Sequence, residues 1–380
     1  MTEKLYYADS HCRSFTARIL DCRAQGESWE LLLDKTAFFP GGGGQEADAG
    51  TLAGMAVLGL REEDGKIWHR CAAPLETGAD VQGKLDWPLR FSRMQFHSGE
   101  HLLSGLAHKL FGCENVGFHM SEGFETIDFD RELSPEELAL LERRANEAVW
   151  ANVPFRCWFP DAETLAALPY RSKKPLEGAV RIVEAGDIDR CACCVPHVRC
   201  SGEVGLIRIV EAMRHRGGVR LTVLCGGAAY ENAAAQGAEA ARLSALLSVP
   251  RDALAPAVER LQTELEKAKF ELTALRRREM ETLAASVAPT EGNICLFFEE
   301  ADMDALRALV NAVAEKCRIC AAFAGAEGSR RYIIASRHAD LRALGKEINA
   351  AISGRGGGSS AMLQGSAAAS REAIEAYFHG

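Results

Sequence analysis

The sequence lacks any apolar run long enough to cross a bilayer. A transmembrane helix needs about 20 consecutive apolar residues, and the 380-residue chain has no such stretch although 47% of it is hydrophobic. The first residues, Met1 to Asp9, also lack the basic and apolar regions of a secretory signal peptide. These absences predict a cytoplasmic protein with no membrane partner.

Excess positive charge and regularly spaced cysteines are also missing. The net charge of −9 argues against a protein that coats nucleic acid non-specifically, because phosphate binding needs clustered Lys and Arg. The 13 cysteines are odd in number and irregularly spaced, which indicates reduced thiols, a few of them bound to metal. Residues 171–220 nevertheless contain ten Lys or Arg and six Asp or Glu, which predicts either a basic face or an ordinary solvated surface.

The length and the residue pattern predict several domains. Residues 1–90 alternate short apolar runs with Gly and Asp turns, which predicts an N-terminal small β-barrel. Residues 91–232 show helical spacing, a capping box at Ser134 and Glu137, and then strand-like runs. We therefore expect an α+β domain with helices packed on an antiparallel sheet.

The last third of the sequence predicts a helical arm followed by a small domain. Within residues 233–288, apolar residues from Leu254 to Leu275 recur at steps of four and three, which is the seam of a coiled coil or a long helical hairpin. Residues 289–380 alternate strand-like and helix-like segments, which predicts a small C-terminal α/β domain with a glycine-rich loop at residues 356–358. The whole chain is thus predicted to be a multidomain α+β protein.

Two short pieces of sequence together predict a metal site. His97 and His101 lie four positions apart in a predicted helix, so their side chains share one face. Cys193 and His197 repeat this spacing far downstream. One thiolate and three imidazoles form a ligand set suited to Zn²⁺. Four protein ligands ordinarily mean a closed structural site, so catalysis would require a loose ligand or an expanded coordination shell.

Two other interpretations of these residues stay open. The first piece also spells H-x-x-E-H, the inverted zinc-peptidase signature, in which Glu100 is the general base and a later carboxylate is the third ligand. The cysteines around the second piece could instead bind a zinc ion of their own: Cys191, Cys193, Cys194 and Cys200.

Three blocks of sequence resemble, in order, the editing region of alanyl-tRNA synthetase. The first is the glycine-rich stretch from Leu33 to Gly50, the second runs from Leu85 through His97 and His101 to Leu103, and the third runs from Cys193 to Gly205. With no aminoacylation domain ahead of them, the chain resembles the freestanding alanyl-tRNA editing proteins of the long form. Residues 354–365 are similar to part of the synthetase's C-terminal domain.

This resemblance implies a zinc-dependent deacylase that removes a wrong amino acid from tRNA(Ala). Ser-tRNA(Ala) is the first expected substrate and Gly-tRNA(Ala) the next, because a synthetase pocket rejects near-isosteres poorly by binding alone. The helical arm and the last domain are expected to grip the tRNA or to pair two chains as a homodimer. A zinc-stapled tRNA-binding module without catalysis is the alternative, because Cys194, Val195 and Pro196 replace the family's usual glycines and threonine.

The resemblance also implies roles for individual residues. Thr36 matches the position that recognises the serine hydroxyl, and Gln45 matches a position linked to editing. Glu100 either orients a ligand or water, or is an exposed helix residue. The implied metal ligands are His97, His101, Cys193 and His197, and the implied substrate-binding backbone is Gly42, Gly43 and Gly44.

Overall fold

The computed structural model describes residues 1–121, 123–172 and 178–379. The chain divides into two compact units, Met1–Arg242 and Leu243–Gly380, and each contains both helices and strands. These features confirm the prediction of a mixed α+β protein with more than one domain. The finer division into four domains, with boundaries after residues 90, 232 and 288, stays a prediction.

The first unit begins with a curled sheet. Its elements are β1 (Glu3–Lys4), α1 (Leu5–Ala8), β2 (Ser14–Gln25), β3 (Ser28–Leu33), β4 (Lys35–Thr36), β5 (Gly50–Leu52), β6 (Met55–Ala56), β7 (Gly59–Glu63), β8 (Lys66–Cys71) and β9 (Asp80–Leu85). Seven of them form one sheet in the order β6-β5-β9-β2-β3-β8-β7, while β1 pairs with β4. The long strand β2 joins the two halves, because its first part pairs with β9 and its second part with β3.

The predicted small β-barrel is only half formed. The strand order within the described residues ends at β6 and β7, so the sheet curls but has two edges. The segment between these edges reaches both sides, since Val57 N–H donates to Gly50 and Leu58 N–H donates to Arg70. With only two residues, β6 offers too few backbone groups to pair along β7. The correction is therefore an open half-barrel in place of a closed barrel.

The rest of the first unit packs helices on antiparallel sheets, as predicted. Its elements are α2 (Trp87–Phe111), β10 (Asn115–Ser121), β11 (Phe124–Phe129), α3 (Pro135–Trp150), β12 (Phe155–Trp158), α4 (Ala162–Ala167), β13 (Ile182–Ala185), β14 (Asp189–Ala192), β15 (Ile207–His215), β16 (Gly218–Cys225) and α5 (Gly226–Leu247). The two sheets have the orders β10-β11-β16-β15 and β12-β13-β14.

Local signals in the sequence define the two main helices of this unit. Asp86 accepts a hydrogen bond from Leu89 N–H and caps α2, which ends at Gly112 in the left-handed conformation. At α3, the side chains of Ser134 and Glu137 form the predicted capping box. One face of α2 supplies Met94, Leu102 and other apolar residues to the core shared with α3 and β16. His97 and His101 therefore lie on a helix whose buried face packs into the core.

The second unit contains one long helix and a small α/β fold. Its elements are α6 (Leu254–Ser286), β17 (Asn293–Phe298), α7 (Met303–Val313), β18 (Ile319–Ala324), β19 (Arg330–Ala335), α8 (Leu341–Ala351), β20 (Gly354–Gly358), β21 (Met362–Ala367) and α9 (Arg371–His379). The five strands form one sheet in the order β17-β18-β19-β21-β20. Among the described residues, no helix combines the length and apolar character that a membrane span requires.

The predicted glycine-rich loop of the second unit is a strand. Residues 354–358 form β20 and pair antiparallel with β21 along their whole length. A Cβ atom on Gly356 would lie 2.2 Å from the hydroxyl oxygen of Tyr332, so only glycine lets the strand pass over this side chain. The glycines therefore allow the backbone of β20 to lie close to its neighbours in the sheet. The prediction of a loop was wrong.

Candidate metal site and cavity

The structure brings together the two pairs of candidate ligands. His97 and His101 lie one turn apart on α2, and Cys193 and His197 lie in the loop that follows β14. One ligand atom from each residue lies within 4.8 Å of all the others. The Cys193 sulfur is 3.4 Å from Nε2 of His97 and 3.4 Å from Nε2 of His197. We call these four residues the ligand cluster.

Hydrogen bonds behind the ligand cluster orient two of its imidazoles. Nδ1 of His101 lies 2.7 Å from the Asp189 carboxylate, and Nδ1 of His197 lies 3.1 Å from the Ser98 hydroxyl oxygen. Each contact leaves Nε2 as the nitrogen that can bind a metal. Carboxylate and hydroxyl partners of this kind are usual behind metal-binding histidines. The donor set, its buried position and these partners fit a metal ion such as zinc.

Burial controls the charge of the cluster. Burial lowers the pKa of His197 well below its usual value, with further lowering from His101 and His97, so this imidazole is neutral at physiological pH. Burial likewise raises the pKa of the Cys193 thiol well above its usual value. A metal ion that binds there must therefore displace the thiol proton. Burial disfavours the charged form of Asp189, but hydrogen bonds with His101 and Arg171 outweigh it and hold the pKa of the carboxyl below its usual value.

Glu100 is buried beside the ligand cluster. It is only 4% exposed, so the interpretation of Glu100 as an exposed helix residue is wrong. Its Oε1 accepts hydrogen bonds from the Ser104 hydroxyl and the Asn115 amide. Its Oε2 lies 3.9 Å from Nε2 of His101. The Glu100 carboxylate therefore lies beside the cluster, with Oε2 on the side of His101.

The ligand cluster opens into a cavity of about 680 Å³. This volume lies within the usual range for sites that bind small molecules. His97, His101 and Glu100 line its most buried part, and Cys193 lines it from the downstream loop. The other lining residues come from several elements: Tyr7, Gly43, Gly44, Val116, Gly117, Phe118, Phe159, Ser172, Ala179, Val180, Arg181, Cys191, Ala192 and Cys194.

The glycine-rich turn packs closely against this cavity. Gly42 and Gln45 exchange backbone hydrogen bonds of 2.9 Å and close the turn. A Cβ atom on Gly43 would lie 2.9 Å from Val195, and one on Gly44 would lie 2.5 Å from the Phe118 ring. Both glycines also have a positive φ. The structure therefore places Gly43 and Gly44 at the cavity wall, with Gly42 just behind them.

Thr36 and Gln45 are buried, but neither lines the cavity in the described part of the chain. The Thr36 hydroxyl oxygen lies 2.9 Å from Nε2 of His69 and accepts a hydrogen bond from Phe38 N–H. Gln45 is 3% exposed, and neither polar atom of its side-chain amide has a hydrogen-bond partner within the described residues. The substrate-binding role of Thr36 and the catalytic role of Gln45 stay predictions.

Several residues that support the site were assigned no role from the sequence. Arg181 donates hydrogen bonds of 3.0 and 2.8 Å to the carbonyl oxygens of Cys193 and Val195, and so holds the ligand loop. A buried ion pair between Arg90 and Asp48 anchors the glycine-rich segment to α2. These partners are far apart along the chain, so spacing could not identify them. Only Ser98 had a local clue, because it adjoins His97.

The alternative cysteine site does not form among the described residues. Cys191 instead lies near His101 and Asp189, with ligand atoms within 4.8 Å of one another. Cys194 is exposed, and Cys200 pairs its backbone with Pro154. The structure thus brings Cys193 to the histidines and leaves the other three cysteines outside the ligand cluster.

Comparisons with known proteins identify relatives of this chain. Residues 180–221, which contain the Cys193–His197 loop, match the family described as the threonyl and alanyl tRNA synthetase second additional domain. The chain is 30% identical over 237 residues to the alanyl-tRNA editing protein AlaX-L of Pyrococcus horikoshii, covering 60% of this chain and 58% of that protein. It is 28% identical over 350 residues to an alanyl-tRNA editing protein of Danio rerio, covering 89% and 84%.

Longer proteins also match most of this chain. An alanine–tRNA ligase of Halorubrum lacusprofundi is 29% identical over 354 residues, which cover 88% of this chain but only 38% of the ligase. The C-Ala domain of Aquifex aeolicus alanyl-tRNA synthetase matches 25% of this chain and 94% of its own length, with 18% identity and a TM-score of 0.21. The chain thus spans less than two thirds of the length of AlaX-L and of the ligase. The similarities confirm the resemblance seen in the motifs: this chain is similar to the alanyl-tRNA editing proteins and to the related region of alanine–tRNA ligases.

Proposed function

We propose that this protein is a zinc-dependent deacylase that hydrolyses the ester bond of mischarged tRNA(Ala), with serine as the preferred amino acid and glycine next. The observation that carries this proposal is the ligand cluster, which lies with buried Glu100 in a cavity of small-molecule size. The homology to alanyl-tRNA editing proteins supports the substrate class.

The four residues of the ligand cluster would hold the zinc ion. When bound, zinc would either hold the substrate's amino group or lower the pKa of a bound water to about 7. Asp189 would keep the His101 ring in the orientation that points Nε2 at the ion, and Ser98 would do the same for His197. Arg181 would keep Cys193 in place through its hydrogen bonds to the loop backbone.

Glu100 is the side chain best placed to move a proton in this reaction. Ser104 and Asn115 donate to its Oε1, and its Oε2 lies 3.9 Å from His101 Nε2. Hydrolysis of an ester needs a base that takes a proton from the attacking water and returns it to the leaving ribose oxygen. We therefore assign the general-base role to Glu100 and the binding of the aminoacyl group to the wall at Gly43 and Gly44.

The two other candidate functions account for less of the site. A peptidase of the H-x-x-E-H type needs a carboxylate as its third ligand and leaves Cys193 and His197 without a role, whereas both contribute to the cluster. A zinc-stapled binding module needs neither a cavity nor a buried carboxylate at its base. The deacylase uses all of these features.

The deciding experiment measures deacylation by the purified full chain. We expect Ser-tRNA(Ala) to be hydrolysed faster than Gly-tRNA(Ala), and Ala-tRNA(Ala) to be spared. The near-isosteric Glu100→Gln change should slow hydrolysis by about 100-fold or more, while the zinc content stays normal. Zinc-loaded protein that hydrolyses none of the three would support the binding module instead. Cleavage of peptides would support the peptidase.

Zinc content provides a prediction that does not depend on activity. Alanine in place of any one of His97, His101, Cys193 or His197 should lower zinc well below one ion per chain, because each removes one donor of the ligand cluster. Metal analysis of gel-filtered protein measures this. His108→Ala is the matched control, since His108 lies on the same helix with a half-exposed side chain. Full zinc in the Cys193 and His197 variants would contradict the four-ligand site.

A further inference from the structure

Two aromatic side chains lie at the mouth of the cavity with no role in the chemistry above. Tyr7 comes from α1 and Phe159 follows β12, and both line the cavity. Their ring centres are 5.4 Å apart and the rings meet edge to face. Phe159 is 49% exposed, whereas His97 and His101 are 3% and 2% exposed. The pair therefore marks the open side of the cavity, and the ligand cluster marks the buried side.

Contacts to the ligand loop hold this pair in place. The Arg181 guanidinium lies 5.0 Å from the centre of the Tyr7 ring and also donates to the carbonyl oxygens of Cys193 and Val195. The neighbouring Tyr6 is 1% exposed and packs against Phe39, which anchors α1. The position of Tyr7 is thus tied to the same loop that carries two of the metal ligands.

Neither ring carries a charge at physiological pH. Burial, followed by the effect of Cys194, raises the pKa of Tyr7 to about 12, so its phenol keeps its proton. A neutral ring does not repel the phosphates of a polynucleotide. A half-exposed phenylalanine beside it offers a flat apolar surface that core packing does not require.

We propose that Phe159 and Tyr7 form the platform on which the terminal adenine of the tRNA acceptor end stacks. This inference rests on the proposed function, because the adenine is attached to the same ribose that carries the ester. When the ester lies at the ligand cluster, the base can lie no farther from it than the ribose allows. Phe118 narrows the buried part of the cavity, where its ring centre lies 4.9 Å from the ring centre of His97. The adenine therefore lies at the mouth.

Stacking is the usual way in which proteins bind unpaired bases. Aromatic side chains recognise splayed nucleotides of single-stranded RNA by contact with the face of the base. The acceptor end is unpaired, so its base is available for such a contact. An aromatic pair at the mouth of an ester-hydrolysing cavity therefore matches the geometry of an aminoacylated adenosine, with the amino acid inside and the base outside.

The test measures binding of two compounds that cannot be hydrolysed. The first is 3′-amino-3′-deoxyadenosine with serine in amide linkage, and the second is the same seryl aminoribose without adenine. Wild-type protein should bind the first more tightly. Phe159→Ala should weaken binding of the adenine compound by roughly 5- to 150-fold, the range that loss of one base stack produces. Binding of the base-free compound should not change.

Matched variants separate stacking from general damage. Phe159→Trp keeps an aromatic face and should retain tight binding, whereas Phe159→Leu keeps apolar bulk and should lose it. Phe124→Ala is the control, because Phe124 is an exposed phenylalanine of the same unit that does not line the cavity within the described chain. Melting temperature and zinc content of every variant report whether the fold is intact.

The outcomes distinguish this inference from the proposed function. Wild-type protein that binds both compounds equally, or a Phe159→Leu variant that binds the adenine compound normally, overturns the platform. So does deacylation of Ser-tRNA(Ala) with unchanged KM in the Phe159→Ala variant. If adenine-dependent binding requires Phe159 but no aminoacyl-tRNA is hydrolysed, the platform stands and the proposed deacylase is overturned.

Discussion

At the scale of single residues, the first unit buries polar groups whose state depends on their partners. His69 on β8 is fully buried, with Nδ1 3.3 Å from the Leu31 carbonyl oxygen and Nε2 2.9 Å from the Thr36 hydroxyl. The neutral imidazole satisfies both contacts by donating to Leu31 and accepting from Thr36. This arrangement gives the Thr36 hydroxyl a structural partner in the interior of the half-barrel.

Because of His69, the free energy of unfolding should decrease as the pH falls. Burial lowers its pKa to about 4, while the unfolded chain takes up the proton near the ordinary value of 6.5. Between these values only the unfolded state is protonated, so stability is present above pH 6.5 and is lost as the pH falls towards 4. The loss should be roughly 3 kcal/mol. Urea unfolding of wild type and His69→Gln at pH 7 and pH 4.5 measures it, and equal pH dependence in both would contradict the prediction.

Replacing Gln45 should affect the stability of the fold and the deacylation rate in different ways. Its buried amide has no hydrogen-bond partner within the part of the chain that is described, and an unsatisfied buried polar group costs about 1–3 kcal/mol. Gln45→Met should therefore leave the free energy of unfolding unchanged or raise it, while deacylation of Ser-tRNA(Ala) slows, as the predicted role of Gln45 in editing requires. Urea unfolding measures the free energy of unfolding, and initial rates with Ser-tRNA(Ala) measure deacylation.

A second glutamine provides the control for this prediction. Gln95 donates a 2.9 Å hydrogen bond to the Glu203 carbonyl oxygen, so Gln95→Met should destabilise the fold. A Gln45→Met protein that is destabilised but turns over normally would show that the amide serves only the fold.

At the scale of elements, Gly105 on α2 lets the start of β14 lie close to this helix. A Cβ atom on Gly105 would lie 2.6 Å from the Ile188 carbonyl oxygen and 2.7 Å from Cβ of Asp189. Gly105 lies one turn after His101 on the same face of the helix. The missing side chain is therefore what allows the start of β14 to bring Asp189 within reach of His101.

Gly105→Ala should damage the metal site from a position that touches no ligand atom. The added methyl group should displace Asp189 and destabilise the fold by roughly 1–3 kcal/mol, as overpacking does. Loss of the Asp189 contact should also weaken zinc binding by about 10- to 100-fold. Competition with a chelator and urea unfolding measure the two effects.

Gly237→Ala is the matched helical control for this change. Gly237 lies in α5, and no atom lies within 4 Å of a Cβ built there. This variant should be more stable than wild type by about 0.5–1 kcal/mol with normal zinc affinity. Equal zinc affinity in the Gly105→Ala variant and this control would show that the contact between α2 and the start of β14 does not support zinc binding.

At the scale of the whole molecule, every residue of the proposed site lies in the unit Met1–Arg242. The second unit contains α6 and the five-stranded sheet. The predicted seam runs along α6, where Leu261, Leu265 and Leu275 are 47%, 55% and 61% exposed. The pairing of two chains through this helix stays a prediction.

A chain that ends at Arg242 should keep its chemistry and lose affinity for tRNA. All four ligands, Glu100 and the cavity remain, so zinc content and kcat should change little. KM for Ser-tRNA(Ala) should rise, because the second unit can add only uniform binding. Steady-state kinetics of both forms give the answer. An unchanged KM would assign the second unit another task, and a collapse of kcat would mean that it helps to build the active site.

Short-range patterns in the sequence were sufficient for the helices, many of the strands and the ligand cluster. The four-residue spacing of each ligand pair and the capping box at Ser134 depend on neighbours along one element, so they can be recognised before folding. The motif resemblance then connected pieces that lie about 100 residues apart. Together these signals predicted the ligand cluster and the similarity to alanyl-tRNA editing proteins.

The remaining features depend on contacts between distant segments. Whether the curled sheet closes, whether Gly354–Gly358 forms a strand, and whether Glu100 is buried are decided by which elements pack together. The orientation of His101 depends on Asp189, 88 positions away, and on the absence of a side chain at Gly105. Periodicity carries no information about such partners, because burial and hydrogen bonding between segments arise only when the chain has folded.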